Sequence, residues 1–239
     1  MTGRQAWLPI AGLWLALGFG PFGPVAARAA CPQGHGPFGT TLLTPDRAYL
    51  VCIVDASTPG KYELYSAPTA GGPAVRLSPD LGADRDVILV AISPDSRRVA
   101  FSADPISWTK YELYTVAIGG GPATKLNGWL PHEHDVDDFA WSSDGRRVVY
   151  RQGRNTVGSW HLYSSPATGG SSVRLSPEMP IGGAVQRPFQ ILGGGLVRYS
   201  ANLDGGGIFD WYVAPDSGGM TLQEVFREDF ETGTAASWR

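Results

Sequence analysis

The sequence has little charge and few of the residues that usually carry out catalysis. Charged residues make up 17% of the 239, the net charge is −3, and there are four histidines and two cysteines. Without a basic excess the chain has no positive field to hold a nucleic acid backbone, so we expect no nucleic acid partner. The sequence also lacks a Gly-x-Ser-x-Gly nucleophile elbow, a Walker phosphate loop and a dinucleotide fingerprint. No common hydrolase or nucleotide-binding motif is therefore available.

Long apolar stretches are missing beyond the N-terminus. There, Arg4 precedes the apolar residues 6–20, and Ala27-Arg28-Ala29 fits the small-x-small pattern of signal cleavage. The apolar run is too short and too interrupted by Gly and Pro for a good membrane span. We predict a signal peptide at residues 1–29, a mature chain without a membrane span, and a periplasmic or secreted location.

The two cysteines are Cys31 and Cys52. In an oxidising compartment a disulfide between them is the simplest arrangement. The alternative is a buried Cys52 with a free Cys31 near the N-terminus. A lipid anchor on Cys31 has less support, because Arg28 stands where a lipobox usually has Leu.

Glycine, proline and aromatic residues are plentiful by contrast. The chain contains 32 Gly, 19 Pro and 11% aromatic residues, a mixture typical of short strands joined by tight turns. Between Leu43 and Phe226 no segment has the pattern of a helix. We therefore expect an all-β fold.

A 49-residue repeat accounts for much of this composition and occurs four times without a gap. "KYELYSAPTAGGPAVRL" starts at Lys61, and "KYELYTVAIGGGPATKL" starts at Lys110. The aligned positions include Cys52, Phe101, Tyr150 and Tyr199, then Tyr65, Tyr114, Tyr163 and Tyr212, then four glycine pairs from Gly71-Gly72 to Gly218-Gly219. We expect the aromatic side chains to fill the spaces between stacked units.

Each unit is predicted to contain four strands. In the second unit these are Asp86–Ile92, Arg98–Ala103, Lys110–Ile118 and Pro122–Asn127. Pro94 and Asp95 suit the first turn, and Gly119-Gly120-Gly121 suits the hairpin between the third and fourth strands. Basic residues recur on the fourth strand at Arg76, Lys125 and Arg174. They are interpreted as charges that keep an exposed sheet edge from pairing.

A single sheet of this size cannot bury both apolar faces, whereas units stacked in a ring can. We predict a β-propeller of four tandem, four-stranded antiparallel blades, with a domain at 30–226 and blades at about 38–86, 87–135, 136–184 and 185–226. The fourth unit has lost its turn signature, and residues 227–239 form a tail or the stub of a fifth strand. The ring closes within one chain, is completed by a homodimer, or is a shortened form of a longer propeller.

The stretches "ISPDSRRVAFSA" and "WSSDGRRVVYRQ", each followed by a Leu-Tyr strand and a Gly-Gly turn, resemble the TolB-type β-propeller repeat. The resemblance covers about Phe38 to Phe226 and implies the propeller fold. That family includes periplasmic scaffolds, sensors, surface proteins and the propeller parts of serine peptidases, so the resemblance implies no single function. TolB-type propellers usually have six or more blades, and this chain has four units.

The connection between the second and third units, "LPHEHDVDDF", carries the densest group of ligand-type side chains. Histidine and carboxylate groups suit Zn²⁺, Mn²⁺ or Fe²⁺, and equivalent connections would converge at the mouth of a central channel. The predicted metal ligands are His132, His134 and Asp135. The predicted ligand-binding residues are Asp84, Asp86, His132, Glu133, Asp137 and Arg187. The alternative is a solvated acidic loop.

Three functional hypotheses follow. The first is an exported, non-enzymatic propeller scaffold that binds a protein or cell-envelope ligand through its loops, which differ from unit to unit. The second is a metal-dependent hydrolase or lyase with its site at the channel mouth. The third is a structural blade set that completes a larger propeller.

Overall fold

The chain folds entirely as β-structure in the part that the structure covers. This computed structural model describes residues 30–35, 39–82, 85–104, 110–131, 134–154, 159–203, 205, 207–219 and 222–224. Within these ranges there is no helix, and so none that is long and apolar enough to cross a bilayer. The predicted signal segment and the C-terminal tail lie outside the described residues.

Sixteen strands of the described residues form four antiparallel sheets of four, each in chain order. The first sheet contains β1 (Thr40–Leu43), β2 (Tyr49–Val54), β3 (Glu63–Pro68) and β4 (Val75–Arg76). The second contains β5 (Val87–Ile92), β6 (Arg98–Ala103), β7 (Glu112–Ala117) and β8 (Thr124–Lys125). The third contains β9 (His134–Trp141), β10 (Arg147–Arg154), β11 (Ser159–Pro166) and β12 (Val173–Arg174). The fourth contains β13 (Gln190–Leu192), β14 (Leu196–Ala201), β15 (Asp210–Pro215) and β16 (Leu222–Glu224).

The register between second and third strands repeats with the sequence period in all four sheets. The residues paired across the second and third strands are Cys52 with Tyr65, Phe101 with Tyr114, Tyr150 with Tyr163, and Tyr199 with Tyr212. In the last three sheets the two rings stack, with centroids 5.5 to 5.7 Å apart. The all-β prediction and its four antiparallel sheets are therefore confirmed.

The first turn has the same backbone pattern in the first three sheets. It contains one left-handed residue, which is Arg47 (φ 60°), Ser96 (φ 61°) or Gly145 (φ 70°). In the second sheet the Ser93 hydroxyl donates to Asp95 Oδ1 at 2.6 Å, and Asp95 accepts the Arg97 N–H at 3.1 Å. The fourth sheet, whose sequence lost the Ser-Pro-Asp pattern, has a different and shorter turn: Leu192 pairs with Leu196, and both Gly194 (φ 74°) and Gly195 (φ 75°) are left-handed.

Buried apolar side chains lie between successive sheets. One cluster joins the first and second sheets, one the second and third, and one the third and fourth. Representative partners within these clusters are Val51 with Phe101, Leu113 with Tyr150, and Leu162 with Tyr199. The sheets therefore stack face to face in chain order, an arrangement consistent with a propeller-like architecture.

The basic residues of the fourth strands do more than protect a sheet edge. Arg76 Nη1 lies 2.9 Å from Oε1 of the fully buried Glu63, and Lys125 Nζ lies 2.7 Å from Oε1 of the buried Glu112. A buried carboxylate needs such a partner because it has lost its hydration. These cations therefore neutralise acids inside the stack.

Cys31 and Cys52 are joined by a disulfide, with their Cα atoms 6.1 Å apart. Cys52 stands at the repeat position that holds a buried aromatic ring in the other three sheets. The bond ties the start of the described chain to β2, and such bonds persist in oxidising compartments.

Candidate functional site

The end of the stack where third strands begin is called the loop end here. Antiparallel strands in chain order bring to this end the loops between second and third strands and the connections to the next sheet. Of the predicted ligand-binding and metal-binding residues, Asp86, His134, Asp135, Asp137 and Arg187 lie in described segments. The others (Asp84, His132 and Glu133) lie outside the described residues.

Asp86 and Asp135 hold neighbouring sheets together. Asp86 Oδ1 accepts the Tyr62 N–H at 2.7 Å, and Asp135 Oδ1 accepts the Tyr111 N–H at 2.9 Å. The residue after each aspartate donates its own N–H to the carbonyl of the same tyrosine, at 2.9 Å in both cases. These two carboxylates therefore satisfy backbone donors at the junctions between the first three sheets.

Burial raises the pKa of Asp135, and the hydrogen bond from Tyr111 opposes that rise. Only 8% of Asp135 is exposed. A buried carboxylate that already accepts a backbone hydrogen bond is explained by the fold, so its position does not by itself indicate a metal ligand. Within the described segments no three His, Cys, Asp or Glu side chains are grouped so as to hold a metal ion.

Asp137 and Arg187 are brought together, as part of a charged cluster that also includes Arg151. Asp137 Oδ2 lies 2.9 Å from Arg151 Nη1 and 3.6 Å from Arg187 Nε. Arg151 is buried, and its guanidinium lies 4.2 Å from the centre of the Trp160 ring. Burial raises the pKa of Asp137 and of Asp138, and the two arginines oppose the rise in both.

Two features make this cluster suitable for recognition. Asp137 Oδ1 is buried and has no hydrogen-bond partner among the described residues. The Arg187 side chain is 57% exposed and reaches solvent. Arg187 can therefore donate hydrogen bonds to a partner at the surface, while the unpaired acceptor Asp137 Oδ1 lies beneath it and carries a cost in free energy.

Sequence reasoning missed Arg151 and Trp160. Arg151 occupies the repeat position that holds Ile53, Ser102 and Ser200 in the other units. A single arginine at a strand position that is otherwise uncharged is a signal that an alignment of the four units could have found. Trp160 follows the aromatic pattern of its position, so nothing in the sequence distinguished it from core residues.

The loop end also carries exposed apolar side chains. Among the described residues the three most exposed large apolar side chains are Ile181 (86%), Trp129 (79%) and Ile208 (70%). All three lie in connections at this end. At the opposite end, which we call the turn end, Leu43, Val75 and Leu196 are exposed by 38 to 49%.

His134 belongs to no metal-type cluster of described residues, and it lines a cavity of about 350 Å³. The same cavity is lined by Trp129, Gln152, His161, Tyr163, Arg174 and Glu178. Of these, only His134 had been singled out as a site residue. The cavity combines two imidazoles, the aromatic side chains of Trp129 and Tyr163, a guanidinium and a carboxylate.

Comparisons with known proteins bear on the fold alone. No protein-family model matches the chain, and no curated protein matches its sequence. Among solved structures it is similar to a puromycin-hydrolyzing peptidase of Mycobacterium tuberculosis, with a TM-score of 0.50 and 18% identity. The match covers 72% of this chain and 29% of that one, so the chain spans under a third of the length of the protein it matches.

Proposed function

We propose that the four sheets are blades of a TolB-like β-propeller that is exported from the cytoplasm. The repeated register, the clusters between successive sheets and the contact between the first strands β5 and β9 support a radial arrangement with first strands innermost. The disulfide and the signal-like residues 1–29 support export.

We propose further that this propeller is a binding scaffold without catalytic activity, and that it binds a protein of the cell envelope through its loop end. The observation that carries this is that Ile181, Trp129 and Ile208, the most exposed large apolar side chains of the described residues, all lie at this end. Large apolar side chains exposed together on one surface are typical of protein-binding sites. The cluster of Asp137 and Arg187 adds polar groups that orient a partner.

The two ends of the stack provide a matched experiment. Immobilised wild-type chain is incubated with an envelope extract of the source cells, and retained proteins are identified by mass spectrometry. One variant replaces Ile181, Trp129 and Ile208 with Ser. The control variant replaces Leu43, Val75 and Leu196 with Ser, which removes the exposed apolar groups of the turn end.

We expect a partner retained by wild type and by the turn-end control, and lost from the loop-end variant. Since apolar interface anchors contribute about 1–3 kcal/mol each, loss of all three should reduce retention at least tenfold. Equal retention by both variants would show that the loop end does not bind the partner. Circular dichroism of each variant verifies that the sheets remain folded.

A second candidate, in which the chain completes a larger ring, is favoured by one observation. Described core clusters join the first three pairs of successive sheets, and none of them joins the fourth sheet to the first. Light scattering after size exclusion separates the alternatives. A mass of one chain supports closure by four blades, whereas a tight dimer supports a ring completed in trans.

A further inference from the structure

The cavity that His134 lines lies at the loop end, beside the third sheet. Its walls come from β9, β10, β11 and β12 and from the connection that carries Trp129 and Pro131. At about 350 Å³ it can hold a small organic molecule. Comparison with the other repeats indicates which chemical group it would take.

In the second sheet the equivalent space is filled by a carboxylate. Glu112 is buried, its Oε1 accepts from Lys125 Nζ at 2.7 Å, and its Oε2 accepts from the Tyr114 hydroxyl at 2.8 Å. The first sheet has the same arrangement, with Arg76 and Tyr65 donating to Glu63 at 2.9 Å. A cation and a tyrosine hydroxyl of each sheet thus converge on one carboxylate.

The third sheet keeps the donors and lacks the acid. Tyr163 and Arg174 stand at the positions of Tyr114 and Lys125, whereas His161 replaces the glutamate. No carboxylate is attached to the strand at this point, and the cavity lies where it would be. Instead, Arg174 Nη2 donates to Glu178 Oε2 at 2.5 Å, and the Glu178 side chain is 79% exposed.

Glu178 does not use up the binding capacity of Arg174. A guanidinium carries five N–H donors; Glu178 engages one of them, and Arg174 also contacts the Tyr163 side chain, so further donors remain. The Glu178 carboxylate lies largely in solvent, where an ion pair adds little free energy. Arg174 can therefore bind a second anion that enters from the cavity.

We propose that the cavity binds the carboxylate of a small aromatic acid, either free or as the C-terminal residue of a peptide. The carboxylate takes the place that the Glu112 side chain occupies in the second sheet, between Arg174 and Tyr163. The aromatic ring packs against Trp129 at the cavity mouth. This site does not depend on the proposed protein-binding role, because its walls form within one chain.

The affinity should depend on pH through His161. Burial lowers the pKa of His161, as do the charges of Arg174 and His134, while Glu178 opposes them. A neutral imidazole gains a proton more readily when an anion binds beside it, so a bound carboxylate raises this pKa. Tyr163 stays uncharged in this range because burial raises its pKa. Binding should tighten severalfold as pH falls from about 8 to about 6.

Isothermal titration of the purified chain with benzoate and with its neutral analogue benzamide tests the proposal. We expect benzoate to bind and benzamide to bind at least tenfold more weakly, since only benzoate engages Arg174 by a charge-assisted hydrogen bond. The peptide Gly-Gly-Phe with a free or an amidated C-terminus separates the two sources of the carboxylate. If benzoate binds and Gly-Gly-Phe does not, the ligand is a free aromatic acid. If both bind, the site also accepts the C-terminal residue of a peptide.

Two variants locate the site. Arg174→Gln should weaken benzoate binding about tenfold, whereas the control Arg146→Gln, whose side chain is 86% exposed at the turn end of the same sheet, should not. His161→Glu restores the acid of the other repeats and should abolish binding by filling the cavity. Equal binding of benzoate and benzamide, no binding of either acid, or unchanged affinity in Arg174→Gln would overturn the proposal.

Discussion

Replacement of Asp135 distinguishes a carboxylate that holds the fold together from one that holds a ligand. Its Oδ1 accepts the Tyr111 N–H at 2.9 Å, and the residue is 8% exposed. Asp135→Ala leaves that N–H buried without its acceptor, which costs about 1–3 kcal/mol of unfolding free energy. For a chain of this size, about 2 kcal/mol corresponds to a fall in Tm of roughly 4–8 °C.

Asp135→Asn should behave differently, because an amide oxygen can accept the same hydrogen bond. The chain already uses this solution elsewhere: Asn127 Oδ1 accepts the Leu113 N–H at 2.7 Å, and Asn202 Oδ1 accepts the Ala184 N–H at 2.5 Å. The amide also avoids burial of a charge. At pH 7 we expect Asp135→Asn to be as stable as wild type or more stable.

The pH dependence has a definite sign. Burial raises the pKa of Asp135 in the folded chain above its unfolded value. The contribution of the Asp135 carboxyl to the free energy of unfolding is therefore fully present below its pKa in the unfolded chain, near 4. That contribution is lost as pH rises through its pKa in the folded chain. The stability advantage of Asp135→Asn over wild type should shrink as pH falls from 7 to about 4.

Urea unfolding followed by tryptophan fluorescence, at pH 7 and pH 4, measures both effects. The expected order at pH 7 is Asn, then wild type, then Ala. If Asp135→Asn lost as much stability as Asp135→Ala, the hydrogen-bond argument would be refuted. A Tm that rises with Zn²⁺ in wild type but not in Asp135→Asn would instead support the metal hypothesis.

Three further predictions concern the rest of the fold. Arg47→Gly should raise Tm in a thermal melt, because the left-handed backbone at φ 60° costs an L-residue about 1–2 kcal/mol. Glycine avoids this cost but loses more conformational entropy on folding, so the net gain is smaller. Lys125→Met leaves the buried Glu112 without its cation at 2.7 Å, and urea unfolding should show a loss of about 1–3 kcal/mol, discounted for the partial exposure of Lys125. Reduction of the Cys31–Cys52 disulfide, which spans 21 residues, should lower the urea midpoint by the equivalent of about 3 kcal/mol, and a midpoint unchanged by dithiothreitol would contradict this.

The fold could be predicted from the sequence because the same pattern of strand and turn residues recurs in four units. The strand Arg98–Ala103 was predicted with its exact limits, since alternating apolar residues and a turn on each side fix both ends. The predicted strand Pro122–Asn127 was too long, and only Thr124–Lys125 pairs. The outermost strand has a neighbour on one side only, so its length depends on packing that the pattern does not encode.

The candidate sites were less predictable because they depend on which side chains meet across the stack. Asp137 and Arg187 are 50 residues apart in the sequence, yet Asp137 Oδ2 lies 3.6 Å from Arg187 Nε. The cavity was missed because its main signal is a substitution, His161 where two other units have glutamate. The missing carboxylate at His161 is informative only because the structure shows a cation and a tyrosine hydroxyl bound to the equivalent Glu63 and Glu112.

The hydrogen bonds at the junctions also define where one cooperative unit ends. A fragment cut after Asn127 would contain all four strands of the second sheet, yet it would lack Asp135 and Val136, the two residues that satisfy the backbone of Tyr111. A fragment continued to Asp137 keeps both bonds. Each of the first three sheets is thus completed by a backbone hydrogen bond from the connection or first strand that follows it. Expression boundaries between sheets therefore belong after this hydrogen bond rather than after the fourth strand.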